Sequence, residues 1–213
     1  MPPIIRRNGN KFLDYVNPKR QRKKVIKGLK SSKLFGGDDS LFKSLLAQTD
    51  FYVEVGCGQS TVYALENYKL KGVVAIDSSK EWLQIVNEVA SNEVLITHHS
   101  DFGPLGRWGR PQSYSKIDAV LNYSSAIFKY FEPDLILIDG RFRVYCFLYA
   151  CLFGQPGLKI LFDDYHGRDH YRIVERFIKP VESCGRQALF ILDTEFDKKG
   201  AEVMLKKFEF VMD

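Results

Sequence analysis

The 213-residue chain carries 31 Lys and Arg against 26 Asp and Glu, a formal net charge of +5, and 45% of its residues are hydrophobic. That balance supports one packed domain and excludes wholesale disorder or a fibrous repeat. No run approaches the ~18 consecutive apolar residues of a membrane span, and no hydrophobic stretch follows the arginines of MPPIIRRNGN, so neither a span nor a secretion signal is expected.

Charge is unevenly placed. The first 35 residues hold eleven bases and one acid, Asp14. PKRQRKKVIKGLKSSK is the centre of a basic arm, residues 1–35, ahead of a mildly acidic body, residues 36–213. Such an arm suits phosphates, an acidic membrane surface or an acidic partner, although it has few aromatic side chains on which bases would stack. Cys57, Cys146, Cys151 and Cys184 lack CxxC spacing and are expected to be reduced thiols of a cytoplasmic protein.

After the arm, Ser40 is placed to cap a helix whose Leu41, Phe42, Leu45 and Leu46 share a face. FYVEVG (51–56) reads as a buried strand, CGQSTVYALENY as a glycine turn and helix, and GVVAID (72–77) as a second strand, together a βαβ unit. SSKEWLQIVNEVA, capped at Ser78 or Ser79, and the strand EVLITHH add a third step. DFGPLGRWGRPQSYS (101–115) is too rich in Gly and Pro for a regular element and is long enough for a binding loop or partial lid. A helix within 118–131 leads into DLILID (134–139), the clearest central strand. RFRVYCFLYACLF then reads as a buried helix, KILFDDY (159–165) as a strand and 168–182 as a further helix, with ALFILD and FEFVMD as the last strand candidates. The fold class expected is α/β, one mostly parallel sheet with helices on both faces, closed by a C-terminal antiparallel strand.

In such a sheet, ligands collect beyond the carboxyl ends of the strands, near the reversal of strand order. Polar residues recur at those ends. Glu54, Gly56, Gly58, Ser60 and Thr61 lie at the first junction, Asp77 and Ser78 at the second, Asp101 and Phe102 at the third, Asp139 and Arg141 at the fourth, and Asp163 and Asp164 at the fifth. Missing β-carbons at Gly56 and Gly58 let the backbone approach a ligand, and Asp77, 21 residues beyond Gly56, is placed to accept hydrogen bonds from a ribose. GCGQST has Thr61 where a dinucleotide fingerprint has its third glycine, which disfavours NAD without removing it.

The whole unit VEVGCGQSTVYALENYKLKGVVAID resembles the cofactor-binding opening of class I S-adenosylmethionine-dependent methyltransferases, and the resemblance runs through residues 50–213. It implies a single Rossmann-like methyltransferase domain with a seven-stranded sheet. It also implies Glu54 and the Gly56–Gly58 loop around the methionine end of S-adenosyl-L-methionine, flanked by Ser60 and Thr61, with Asp77 and Ser78 at the ribose. Asp101 then lies near the adenine, with Phe102, Leu105 and Trp108 as an apolar wall.

IDGRFR followed by LFDDY is similar to O-methyltransferases that use Mg²⁺, which makes Asp139, Asp163 and Asp164 the implied ligands of Mg²⁺ or another divalent cation; three hard oxygens suit such an ion. Some related sites carry a general base where Arg141 stands, a role that a guanidinium cannot fill near neutral pH. His166 and His170 are the substitute bases, with His98 and His99 as a second pair, while Arg141, Arg143 and Arg168 orient hydroxyls, a phosphate or a carboxylate of the acceptor. IDGRFR, LFDDYHGRDHY and GPLGRWGRP also look like glycan-modifying methyltransferases, including enzymes of large viruses infecting algae that methylate sugars such as rhamnose in capsid glycans. The resemblance implies O-methyl transfer to a sugar or glycan acceptor, in the host cytoplasm if the protein is viral. A phenolic or other metabolite hydroxyl is the alternative. Nucleic acid comes third, because IDGR stands where base N-methylating enzymes carry an NPPY-like motif.

Overall fold

The computed structural model describes residues 18–212. Five short apolar runs form its parallel strands: β1 (Phe51–Val55), β2 (Gly72–Asp77), β3 (Leu95–His99), β4 (Leu135–Ile138) and β5 (Lys159–Phe162). Beyond β5 lie β6 (Glu182–Cys184) and β7 (Gln187–Ile191), with β7 antiparallel to both of its neighbours. The order is β3-β2-β1-β4-β5-β7-β6. Strand succession therefore reverses between β1 and β4, which leaves a crevice at their C-terminal ends.

Alternate residues of the central strands feed two faces. Val53, Val55, Val74, Ile76, Ile136 and Ile138 join the core formed with α5 (Ala119–Ser125), α6 (Arg143–Phe153) and α7 (Lys198–Phe208). Tyr52, Leu135, Leu137 and Leu161 point the other way, to α2 (Ser40–Leu46) and α3 (Gln59–Asn67). Ala75 meets Val62 of α3 and Leu83 and Val86 of α4 (Lys80–Ala90). Each such aliphatic side chain gains ~1.5–3 kcal/mol on burial, so a slip of one residue in these strands would forfeit most of the core. No helix of the described residues is long and apolar enough to cross a membrane.

The part of the basic arm that is described packs onto this body. α1 (Pro18–Leu29) lies against α3 and α4; its last residue, Leu29, is buried with Val62 and Leu83, and Leu34 is buried with Phe42. Residues 1–17 of the arm lie outside the described residues.

Three local expectations are corrected. The described residues of FEFVMD, 208–212, form no strand: Phe208 ends α7, whose Ala201 packs into the core, and the sheet edge is already occupied by the β6–β7 hairpin. The antiparallel strand is β7, joined to β6 through the two-residue turn Gly185–Arg186, with Gly185 at φ +55°. Residues 169–176 adopt a 3-10 helix, shorter than the helix expected over 168–182, since Pro180 and the β6 strand cut the segment short. Ser40 is the first residue of α2, not its cap. Asp39 holds the cap position, its carboxylate accepting from the Leu34 backbone at 3.1 Å and pairing with Lys43 at 2.9 Å.

Candidate cofactor and acceptor site

The turn after β1 is built on a sealed carboxylate. Glu54 is fully buried and accepts hydrogen bonds from Tyr52 Oη at 3.0 Å, Thr61 Oγ1 at 2.7 Å and Ser60 Oγ. Burial outweighs these three donors and pushes its pKa up to about 7. Thr61 also accepts from the Gly58 backbone N–H at 3.0 Å, so Glu54, Ser60 and Thr61 form one network that shapes the Gly56–Gly58 loop from beneath. Gly56 sits at φ +91°, and a β-carbon there would run into the Gly140 backbone and lie 2.8 Å from the Asp139 carbonyl carbon. The turns after β1 and β4 are thus back to back across the strand-order reversal. Between them lies a cavity of about 120 Å³, lined by Gly56, Gly58, Ser60, Asp139 and Arg186, with Leu34 and Phe35 on one side. A larger groove of about 420 Å³, between the 169–176 helix and α7, contains none of the strand-end residues.

At the end of β2, one Asp77 oxygen accepts from the Ser79 backbone at 2.8 Å, and the other meets the Cys57 thiol at 3.8 Å. Burial raises its pKa. The Ser78 hydroxyl is spent on the Gly109 carbonyl at 3.0 Å, and His99 Nε2 meets the Ser78 carbonyl at 3.1 Å, so Ser78 pins the 101–115 loop across the end of β2. The same loop is held from β4, where Arg141 Nε donates to the Trp108 carbonyl at 2.9 Å. Trp108 adopts a left-handed backbone (φ 62°), uncommon for a bulky residue, and its side chain stands 74% exposed. Asp101 is exposed and paired with Lys116, which lowers its pKa. Phe102 is only 2% exposed, stacked on Phe142 at 5.1 Å and edge-on to Tyr123, which makes it part of the core. Leu105 makes an isolated bridge to Pro111.

Asp139, Asp163 and Asp164 do converge, with one oxygen of each within 4.8 Å of the others. Arginines fill the space around them. Arg143 Nη2 donates to Asp139 at 2.9 Å, Arg168 Nη2 to Asp164 at 2.6 Å, and Arg186 forks onto Asp163 at 3.0 and 2.6 Å. Burial, followed by the charge of Asp163, holds the Asp139 carboxyl well above the usual carboxylate range. Of the histidines, His166 and His170 are exposed, set against the Tyr165 and Tyr171 rings, and neither lines the cavity. His98 is committed to Tyr130 and Asn122, at 2.9 and 3.3 Å.

Two contributors escape sequence reasoning. Arg186 lies in the β6–β7 turn, and nothing in SCGRQ signals that pairing β7 with β5 brings it to Asp163. Phe35 reaches the cavity because Gln59, the first residue of α3, donates from Nε2 to the carbonyls of Ser31 and Lys33, at 2.6 and 2.9 Å.

No family model matches the chain, and no curated protein does. Solved structures do match it. A methyltransferase-like protein from Silicibacter pomeroyi DSS-3 is 26% identical, with a TM-score of 0.68 over 92% of this chain and 96% of that one. The cofactor-bound Rv0187 from MTB gives a TM-score of 0.50 at 13% identity, over 85% and 94% of the two chains. An O-methyltransferase from Bacillus cereus, solved in complex with SAH, gives 0.49 at 16% identity, over 84% and 94%. Sheet order and this likeness along almost the whole chain identify the Rossmann-like fold of the S-adenosylmethionine-dependent methyltransferases.

Proposed function

We propose that this chain is an S-adenosylmethionine-dependent methyltransferase that methylates an acceptor hydroxyl, in the first instance one on a carbohydrate. The observation that carries the proposal is the position of the Gly56–Gly58 turn at the β1/β4 reversal of a methyltransferase-like sheet, with Asp77 at the neighbouring end of β2, its carboxylate 3.8 Å from the Cys57 thiol of the same turn. When bound, the cofactor supplies an electrophilic methyl on sulfur. The chain's own work is to hold it and to take up a proton. The loop backbone admits the methionine end where β-carbons are missing, and Asp77 receives the ribose hydroxyls. Asp139 lines the cavity, whereas His166 and His170 do not; this supports Asp139 over the histidines as the acceptor of the hydroxyl proton.

A sugar acceptor is supported by the loop rim, where the exposed Trp108 ring offers a stacking surface and the Arg107 guanidinium, 5.2 Å from the ring centre, adds charged donor groups. The exposed Lys23, Lys24 and Lys27 of α1 support recruitment of an acidic target by the basic arm. A methyl-transfer screen with labelled cofactor tests the reading against monosaccharide, oligosaccharide, phenolic and RNA panels. Transfer to sugars is the expected result, and transfer to RNA or phenols alone would replace the carbohydrate assignment.

A further inference from the structure

Three carboxylates within 4.8 Å of one another repel unless cations stand among them. Here the cations belong to the protein. Arg186 donates from Nε and Nη2 to the two oxygens of Asp163, at 3.0 and 2.6 Å, and its Nη1 lies 3.3 Å from Asp164. The Arg143 side chain, 4% exposed, reaches Asp139 at 2.9 Å and Asp164 at 3.4 Å. Its other N–H groups hold the Gly140 and Asp163 carbonyls, at 3.0 and 2.6 Å, stitching the turn after β4 to the end of β5. Arg168 takes Asp164 at 2.6 Å. Three guanidiniums therefore face three carboxylates, and both oxygens of the fully buried Asp163 are occupied.

This donor set does not fit the divalent cation that the resemblance implies. Mg²⁺ requires near-octahedral oxygens at ~2.0–2.1 Å, and the Asp163 oxygens nearest the centre already carry N–H groups. A cation placed among these carboxylates would also meet, at close range, the like charges of the Arg143 and Arg186 guanidiniums. Neither can relieve that repulsion by losing its proton. Arg143 is also too enclosed to swing aside without breaking its contacts with the Gly140, Asp163 and Asp139 carbonyls.

We infer that the Asp139–Asp163–Asp164 cluster is closed to divalent cations, and that Arg186 stands in the place of the metal. The fixed positive charge lining the cavity beside Asp139 is then the Arg186 guanidinium, and an acceptor or cofactor oxygen entering there meets N–H donors. Arg186 is a positioning residue in this account. It holds Asp163 and Asp164 apart from solvent ions and fixes the electrostatics of the carboxylate that faces the cavity.

Mn²⁺ is the probe. Metal-stripped wild-type protein, Asp163→Asn and Arg186→Gln, each checked for folding by circular dichroism, are titrated with Mn²⁺ while the free ion is counted by electron paramagnetic resonance. Wild type and Asp163→Asn should behave alike, with no saturable site. Arg186→Gln, which uncovers both Asp163 oxygens, should bind Mn²⁺ roughly tenfold or more tightly than wild type. A saturable wild-type site that Asp163→Asn removes would overturn the inference, as would a folded Arg186→Gln protein that binds no better than wild type. Should Arg186→Gln fail to fold, wild type against Asp163→Asn decides. The readout needs neither cofactor nor acceptor, so its outcome is separate from that of the proposed methyl transfer.

Discussion

Glu54 carries a cost that the apo protein reveals through pH. Its folded pKa of about 7 lies above the ordinary glutamate value of 4.5, so the native state binds the extra proton between those values and the unfolded chain does not. Stability from this group is complete below pH 4.5 and is lost as pH rises to about 7, a change on the order of 3 kcal/mol. Asp77 and Asp139 are shifted in the same direction and steepen the wild-type curve. Urea melts across pH 4.5 to 7 should therefore show a shallower decline for Glu54→Gln than for wild type; equal slopes would mean that Glu54 does not titrate in this range. The two glycines above it separate folding from binding. Gly56→Ala forces a β-carbon into the Gly140 backbone at a positive φ and is expected to cost more than about 3 kcal/mol of stability. At Gly58 the backbone φ is extended and a β-carbon would stop 3.8 Å from the Trp82 ring, so Gly58→Ala should fold normally and lose cofactor affinity. Normal affinity in folded Gly58→Ala would remove that loop from the binding site.

At the scale of elements, the 30–35 segment belongs to the site, although its charge pattern reads as a detachable arm. Leu29 and Leu34 are buried, Gln59 clamps two of the segment's carbonyls, and Phe35 lies 5.2 Å edge-on to Phe42 and beneath Arg186 at 5.8 Å. Deleting residues 1–35 should lower the melting temperature and weaken cofactor binding together; a truncated protein unchanged in both would restore the arm as a separate recruitment tail. The central parallel strands were legible because each is a short apolar run bounded by turn residues and buried on both faces; β3, at the sheet edge, is only half-buried. The choice of last strand was not. ALFI and FEFV are both short apolar segments, and only the hairpin turn at Gly185 and the filled sheet edge decide between them. Glu54, Asp77 and the strand-end aspartates could be placed from their positions at the ends of recognisable strands. Arg186 could not, since its distance of 22 residues from Asp164 becomes a contact only through the antiparallel pairing of β5 and β7.

The whole molecule is organised around one discontinuity, the reversal of strand order between β1 and β4. The glycine turn, Asp77, the pinned 101–115 loop and the arginine-bound aspartates all lie at strand ends on the side where that reversal opens the sheet. Cofactor binding at this crevice is the claim on which the proposed activity rests, and calorimetry with S-adenosylmethionine, its demethylated product and NAD addresses it without any acceptor. Wild-type protein should bind the first two and not NAD. Asp77→Ala, folded as wild type, should bind S-adenosylmethionine ~10- to 100-fold more weakly through loss of the ribose hydrogen bonds to a charged group. Binding of NAD in place of S-adenosylmethionine, or an Asp77→Ala protein with undiminished affinity, would contradict the account.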